Sequence, residues 1–387
     1  MTPDTPLQLT KKATARCMRR PHLFFVALLG VSVPAARAAQ GQAKPLHVGR
    51  LVREWVDSAR PSWRGQGRRP LRTTVWYPTD DSVRAVDWVR GPAAAPFFRL
   101  GSSAPDAPIA PNAARRPLVV LSHGNGGSAA MLAWLGEALA SAGYIVAAVD
   151  HHGNTSSEGE PAAAGFVLWW ERATDVSAAI DRLLADSAFG PRIDADAIGA
   201  AGFALGGYTA LELAGARTSV ATWQAFCRSD ARDAHEGFCG PQPEFPDLVA
   251  AFDRVRDDPA VKASLARASM SFRDDRIRGV YVIAPLGRML TEASLSAIRT
   301  PVRVVVGTDD HTAPAATNGR YLAARIPGAQ LRLLRGVGHY TFIAECAPAG
   351  SVRFPELCQE PTAVGRGAVH RLVAADAVRF FDGVLRP

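Results

Sequence analysis

The sequence predicts an α/β fold in which a mostly parallel central sheet is flanked by helices and interrupted by a helical insertion. Apolar runs of strand length alternate with helical segments along the chain, which is the pattern of a parallel sheet covered on both faces. With 48% hydrophobic and 21% charged residues, the 387-residue chain also has an ordinary globular composition. No apolar run after residue 40 approaches the roughly 20 residues of a membrane span.

The first predicted elements lead up to a glycine-rich turn. Residues 70–78, which carry threonine, valine and aromatic side chains between two prolines, predict an early strand. The Ala- and Pro-rich residues 91–117 predict a loop. The apolar runs at 117–121 and 144–149 predict buried strands, and residues 129–142 between them predict a helix.

The alternation then continues, stops for a long segment and resumes. An amphipathic pattern over 165–185 predicts a helix, 197–202 predicts a strand, and a helix follows at 208–214. Residues 217–276 lack the alternation and predict a helical cap insertion laid over the site. Three strands and a closing helix complete the predicted fold, at 279–283, 301–306, 330–334 and 369–385.

The first 38 residues are expected to lie outside the fold. Basic residues precede a short apolar stretch over 22–34, and Ala36-Arg37-Ala38 is a small-x-small cleavage signal. This pattern predicts a secretory signal peptide over 1–38 and an exported protein, periplasmic or secreted, whose domain is formed by residues 39–387. The alternative, an N-terminal membrane anchor, is disfavoured because the apolar stretch is too short.

The basic balance of the chain comes partly from this leader. The leader holds six Lys/Arg and one Asp, so its removal leaves 38 basic against 35 acidic residues, and the net charge falls from +8 to +3. The sequence also has no basic block with interleaved aromatic residues. The charge therefore gives no reason to expect a nucleic-acid partner.

The cysteines after the leader predict disulfides. They are even in number, as is typical of exported proteins with disulfide bonds. Three connectivities are possible, and two equal spacings favour local pairs; a zinc site is the alternative, although no Cys-x-x-Cys is present. The four residues are Cys227, Cys239, Cys346 and Cys358.

A strand-to-helix turn at residues 198–207 has the pattern of a nucleophile elbow, Gly-x-Ser-x-Gly. Gly202 and Gly206 are in place, with Gly207 behind them, but the central residue is Ala204. An alanine methyl group cannot attack a carbonyl. The pattern therefore predicts an acyl-transfer framework whose nucleophile position is substituted.

A second turn could stabilise negative charge on a reacting oxygen. Residues 123–127, His-Gly-Asn-Gly-Gly, follow a predicted buried strand and can direct a backbone N–H at an oxyanion. The second donor would be the N–H of Leu205, which the alanine before it leaves unchanged. Ser122 and Ser128 flank the glycine-rich turn and do not lie at the elbow, so neither is expected to substitute as nucleophile.

Two neighbouring carboxylates are candidates for the acid of a catalytic triad. Asp309 and Asp310 both follow the strand predicted at 301–306. The spacing from Gly307 to Pro314, Gly-x-x-Asp-x-x-x-Pro, favours Asp310, while Asp309 remains an alternative.

His339 is the candidate base, because it follows the last predicted strand in a glycine-rich loop. His123 belongs to the glycine-rich turn, and His311 is too close in sequence to the candidate acids to act as their base. His151 and His152 follow a strand end and are expected to be wall or structural residues.

Taken together, these motifs resemble the secreted dienelactone-hydrolase-like α/β hydrolases, the branch related to platelet-activating-factor acetylhydrolase. The resemblance spans nearly the whole chain after the leader and is more specific than any one motif. It is carried by residues 72–78, 122–127, 152–155, 168–172, the elbow and 338–340.

The resemblance implies the α/β-hydrolase fold and a serine esterase that acts on small or medium carboxylic esters or lactones, without metal or other cofactor. It assigns Asp310 and His339 as acid and base, and the backbone N–H groups of Asn125 and Leu205 as oxyanion donors. Ala204 departs from the family at the nucleophile.

Three explanations of the alanine follow: an engineered Ser→Ala change, a natural pseudoenzyme, or weak hydrolysis by a water that His339 activates. Two classes of function remain open. The first is an exported ester hydrolase, and the second is an inactive protein that binds an ester, lipid or partner.

Overall fold

The computed structural model describes residues 45–386 except 66, 81, 111–113, 241–244 and 360–363. The predicted signal peptide, 1–38, lies outside the described residues. Within the described ranges, no helix has the length and apolar character needed to cross a membrane.

A sheet of eleven strands, counted over the described residues, forms the centre of the fold. The strands are β1 (Val48–Pro61), β2 (Arg68–Pro78), β3 (Val86–Arg90), β4 (Phe98–Pro105), β5 (Arg116–Ser122), β6 (Ile145–Val149), β7 (Ile193–Phe203), β8 (Ile277–Ile283), β9 (Val302–Gly307), β10 (Gln330–Leu334) and β11 (Glu345–Cys346). Their spatial order is β10-β9-β8-β7-β5-β6-β2-β1-β4-β11, and β3 pairs with β4. The six strands from β10 to β6 are parallel, whereas β2 is antiparallel to both β6 and β1.

Helices cover both faces of this sheet. They are α1 (Ala133–Ser141), α2 (Ala163–Val167), α3 (Glu171–Ala185), α4 (Leu205–Leu213), α5 (Val220–Cys227), α6 (Leu248–Asp253), α7 (Pro259–Leu265), α8 (Glu292–Ala297), α9 (Gly319–Arg325), α10 (Pro348–Arg353), α11 (Pro355–Cys358) and α12 (Arg366–Leu385). Short 3₁₀ turns lie at Ala129–Leu132, Gly190–Arg192, Gly237–Cys239 and His339–Phe342.

Successive side chains of β2 point to opposite faces of the sheet, and they show that the apolar core has two parts. Val75 and Tyr77 belong to a buried cluster that includes side chains of α3 and α4, while Trp76 between them belongs to a second cluster with side chains of α1 and α12. The sheet therefore has two apolar faces, as the alternation of strands and helices predicted.

The register of the parallel strands places their carboxyl ends at one level. Ser122 at the end of β5 pairs with Val149 at the end of β6 and with Gly202 near the end of β7. Phe203 in turn pairs with Ile283, the last residue of β8. The turns that follow these strands therefore meet along one edge of the sheet, where open α/β folds place their sites.

The structure corrects two of the predicted elements. The predicted loop over 91–117 contains β4, whose alternation of buried Phe98 and Leu100 with exposed Arg99 is the pattern of a strand near a sheet edge. The predicted helix over 165–185 is divided into α2 and α3, because Leu168 leaves the helical region at φ −93° and ψ 62°. The break lets Trp169 and Trp170 pack into different apolar clusters.

The segment predicted as a cap, 217–276, holds α5, α6, α7 and a 3₁₀ turn. It packs on the two tryptophans between α2 and α3: the Trp169 ring lies 4.9 Å from that of Trp223, and the Trp170 indole N–H donates to Ser264 Oγ at 2.9 Å.

The predicted local pairing of the cysteines is confirmed. One disulfide joins Cys227 to Cys239, and the other joins Cys346 to Cys358, each across a separation of 12 residues. The first closes the chain between α5 and a 3₁₀ turn, and the second encloses α10 and α11.

Candidate active site

Ala204 lies between β7 and α4 in a backbone conformation that residues other than glycine rarely adopt, with φ +51° and ψ −115°. Such a conformation costs of the order of 1–3 kcal/mol and persists only where the surroundings impose it. The Ala204 N–H donates to the Ile283 carbonyl at 2.9 Å, which ties the turn to β8. The sharp, strained turn expected of a nucleophile elbow is therefore present, with a methyl group at its centre.

Two glycines make this turn possible. A Cβ atom added to Gly202 would lie 2.0 Å from the Gly206 carbonyl oxygen, and one added to Gly206 would lie 1.8 Å from that of Ser122. Because real Cβ contacts are never this short, the strand, the turn and the helix approach one another only with glycine at both positions.

The glycine-rich turn at 123–127 packs directly against the elbow. A Cβ atom on Gly124 would lie 3.0 Å from the Phe203 ring and 3.5 Å from Ala204 Cβ. The buried amide of Asn154 holds the turn from outside, because it accepts from the Gly126 N–H at 2.7 Å and donates to Asn125 Oδ1 at 2.9 Å. Asn154 lies within residues 152–155, which carry part of the family resemblance, but the sequence did not predict this contact.

The structure brings His339 and Asp310 together. The distance from His339 Nδ1 to Asp310 Oδ2 is 2.8 Å, and both side chains are buried. Asp310 Oδ1 also accepts from the backbone N–H groups of Thr312 and Ala313, at 2.9 and 2.6 Å. These contacts fix the carboxylate in an orientation that can hold an imidazole ring.

The side chain of Asp309, the alternative acid, has a different environment from that of Asp310. It is exposed and accepts from Thr308 Oγ1 at 2.7 Å. The geometry therefore pairs His339 with Asp310 and not with its neighbour.

A cavity of about 620 Å³ opens at this edge of the sheet. Gly124, Asn125, Ala204, Leu205 and His339 all line it, so the predicted elbow, oxyanion turn and base face one space. The remaining wall is largely apolar, and it comprises Phe98, Met131, Leu132, Phe203, Phe238, Leu286, Tyr340, Ile343, Phe354 and Leu357, with Arg90 among the polar lining residues.

A buried ionic cluster lies behind the glycine-rich turn, and sequence reasoning missed it. Asp175 of α3 accepts from Arg60 and Arg69 at 2.7 Å each and from His151 Nδ1 at 2.9 Å. Burial opposes the charge, but the two guanidinium groups hold the pKa of Asp175 well below its usual range. His151, predicted as a wall or structural residue, also bonds through Nε2 to Ser122 Oγ at 2.8 Å.

Over the described ranges, no three His, Cys, Asp or Glu side chains are grouped so that they could hold a metal ion. The cavity is bordered by an imidazole that contacts a carboxylate and by a strained strand-to-helix turn, which are groups of the kind that acyl transfer requires.

Comparisons with known proteins bear on the fold and on one segment of the chain. Residues 101–160, which include β5 and the glycine-rich turn, match the family model described as platelet-activating factor acetylhydrolase, isoform II. A solved structure of ferulic acid esterase from Streptomyces cinnamoneus is similar over 92% of this chain and 93% of its own, with a TM-score of 0.59 and 22% identity. No curated protein matches the chain significantly. The fold is thus that of the α/β hydrolases, and over residues 101–160 the predicted resemblance to the platelet-activating-factor acetylhydrolase family is confirmed.

Proposed function

We propose that the chain is a carboxylic-ester or lactone hydrolase of the dienelactone-hydrolase-like type, in which Ala204 replaces the nucleophilic serine and makes turnover absent or weak. The observation that carries this proposal is the strained φ of +51° at Ala204, in a turn that faces the same cavity as His339. An alanine needs no such conformation for packing, whereas a nucleophile needs it to reach a substrate.

The proposed chemistry follows from the positions of the remaining groups. With a serine at 204, its Oγ would attack the ester carbonyl while His339 accepts the hydroxyl proton. Asp310 would stabilise the imidazolium, and the N–H groups of Asn125 and Leu205 would bind the oxyanion. His339 would then donate the proton to the leaving alcohol, and water would release the acyl group by the same steps.

The walls of the cavity support an apolar acyl or alcohol portion of a small-molecule ester. Phe238 reaches the cavity from the segment proposed as a cap, 217–276. Two disulfides are consistent with the proposed export of the domain, 39–387, to an oxidising compartment.

Reinstating the nucleophile tests the proposal. We expect Ala204→Ser to hydrolyse a short p-nitrophenyl ester with an acyl-enzyme burst, because loss of such a nucleophile costs about 10⁶-fold in turnover. The unmodified chain should show only the slow rate of a water attacking from the vacated space, about 10³–10⁴ over water. The matched control is Ala204→Ser with His339→Gln, which should lose the burst. A folded Ala204→Ser protein without esterase activity would contradict the proposal.

The methyl group of Ala204 itself favours a second candidate, an inactive protein that binds an ester, lipid or partner in the same cavity. Titration of the unmodified chain with a non-hydrolysable ester analogue should then give saturable heat in calorimetry. Absence of binding by every ester and fatty-acid ligand tested would count against this candidate.

A further inference from the structure

We propose that His123 is a positioning residue whose ring holds the peptide between Gly124 and Asn125 in the orientation that serves the oxyanion. This inference rests on the hydrolase function proposed above. It is drawn from three features of the glycine-rich turn: the tautomer of the ring, the planarity of the peptide, and the buried contacts that anchor both.

The contacts of the ring determine its tautomer. The backbone N–H of His151 lies 3.2 Å from His123 Nε2, and since an N–H can only donate, Nε2 is the acceptor. The proton of the neutral ring is therefore on Nδ1, which donates to the Gly124 carbonyl oxygen at 2.7 Å. Arg172 Nη2 approaches Nδ1 only at 3.4 Å, and its main contact is with the His123 carbonyl oxygen.

The surroundings keep the ring neutral. His123 is 1% exposed, and its burial together with the nearby guanidinium of Arg172 lowers its pKa to about 4. At neutral pH the ring thus has one donor and one acceptor, and both are used.

Because the peptide bond is planar, the hydrogen bond at the Gly124 carbonyl also affects the Asn125 N–H, the proposed oxyanion donor. The Gly124 carbonyl accepts from His123 Nδ1 and from the Gly127 N–H at 3.2 Å. In a trans peptide the C=O and the following N–H lie in one plane and point in opposite directions. Fixing the Gly124 carbonyl therefore also fixes the direction of the Asn125 N–H.

The hydrogen bonds to the Gly124 carbonyl restrain a peptide that follows a glycine, and the space beside this glycine is tight. Its Cα lies against the Phe203 ring, where a Cβ would be only 3.0 Å from the nearest ring atoms. Glycine has access to more backbone conformations than any other residue, so this peptide could otherwise rotate. The hydrogen bond from the His123 ring to the Gly124 carbonyl limits this rotation and acts as a clamp.

The clamp is anchored in the buried cluster. Ser122 Oγ, the His151 ring and Asp175 follow one another at 2.8 and 2.9 Å, in the order of a nucleophile, a base and an acid. All three residues are at most 2% exposed, and the Ser122 carbonyl packs against Gly206, so an ester has no access to the serine. This chain of contacts holds the His151 backbone in place to donate to His123.

Hydrogen exchange tests the clamp without any need for turnover. In the otherwise unmodified chain, we expect His123→Phe to accelerate amide exchange at residues 124–127 by at least about tenfold, since it removes the side-chain donor while keeping a ring of similar shape. His370→Phe, at another buried histidine, should leave exchange in this segment unchanged. Equal exchange in the parent and His123→Phe proteins would overturn the proposal.

Kinetics in the Ala204→Ser background separates positioning from a general structural role. We expect His123→Phe to lower kcat by about 10–100-fold with KM within twofold, because a misplaced oxyanion donor weakens only the transition state. His123→Asn, which can keep an N–H near the position of Nδ1, should recover part of kcat. An unchanged kcat in His123→Phe, or a loss confined to KM, would overturn the proposal. If Ala204→Ser itself is inactive, the hydrolase function fails, and hydrogen exchange alone decides on the clamp.

Discussion

At the scale of single residues, the site combines groups that local sequence patterns reveal with groups that they do not. Ala204, Asp310 and His339 each follow a predicted strand within a few residues, so their turns were recognisable from composition and spacing. The cluster around Asp175 was not recognisable. Its partners Arg60 and Arg69 lie more than 100 residues away, and charged residues on a strand or an amphipathic helix ordinarily indicate a solvated face.

The two neighbouring aspartates provide a test at this scale. In the Ala204→Ser background we expect Asp310→Asn to lower kcat by about 10⁴-fold, because an amide in this place favours the wrong tautomer of His339. Asp309→Asn is the matched control and should stay within about threefold of the parent, since its side chain is exposed and contacts Thr308. Ester hydrolysis rates measure both, and the reverse order of effects would assign the acid to Asp309.

At the scale of elements, most of the strands that the sequence predicted are buried and apolar, while β10, half-exposed at one edge of the sheet, was predicted as well. β5, β6 and β8 are mostly buried and apolar, and they were predicted closely. β1, β3, β4 and β11 were missed, because they lie toward one edge of the sheet and many of their side chains are polar and half-exposed. These strands pair with partners that are distant in the chain, and the pattern of apolar and polar residues within one segment does not predict such pairing.

The junction of β7 and α4 gives a second prediction. We expect Gly206→Ala to reduce the free energy of unfolding by about 2 kcal/mol or more, because its Cβ would overlap the Ser122 carbonyl and force backbone to move. The matched control is Gly383→Ala in α12, where no atom outside the neighbouring helix backbone lies within 4 Å of the added Cβ. That change should be neutral or stabilise by about 0.5–1 kcal/mol. Urea unfolding of both variants checks this, and equal stabilities would contradict it.

At the scale of the whole molecule, burial suppresses charge at several histidines. Desolvation, with a contribution from nearby arginines, lowers the pKa of His123 and of His370 to about 4. On unfolding, each group regains a pKa near 6.5 and binds a proton throughout the intervening range. The unfolded state thus binds more protons, and these groups make stability fall as pH decreases from about 6.5 to about 4.

A single variant isolates this effect from other titrations. His370→Phe keeps a ring against Trp134, whose centroid is 4.3 Å away, but cannot bind a proton. We expect it to flatten the dependence of unfolding free energy on pH between about 6.5 and 4, by up to about 1.4 kcal/mol per pH unit.

The parent and His370→Phe proteins must be compared because Glu212 changes the free energy of unfolding with pH in the opposite direction. Burial raises the pKa of Glu212 to about 8, so its contribution is lost as pH rises from about 4.5. Urea unfolding at several pH values gives both curves, and parallel curves for the parent and His370→Phe would refute the assignment.

The two disulfides have a consequence for when the cavity becomes complete. Phe238 belongs to the ring of chain closed by Cys227 and Cys239, whereas Phe354 and Leu357 belong to the ring closed by Cys346 and Cys358. Two segments that line the cavity come from separate parts of the chain, and each is constrained by a disulfide. Both disulfides form by the same reaction, the oxidation of two thiols. We therefore expect completion of the cavity to depend on the redox conditions in which the chain folds, because both wall segments are less constrained when the thiols are reduced.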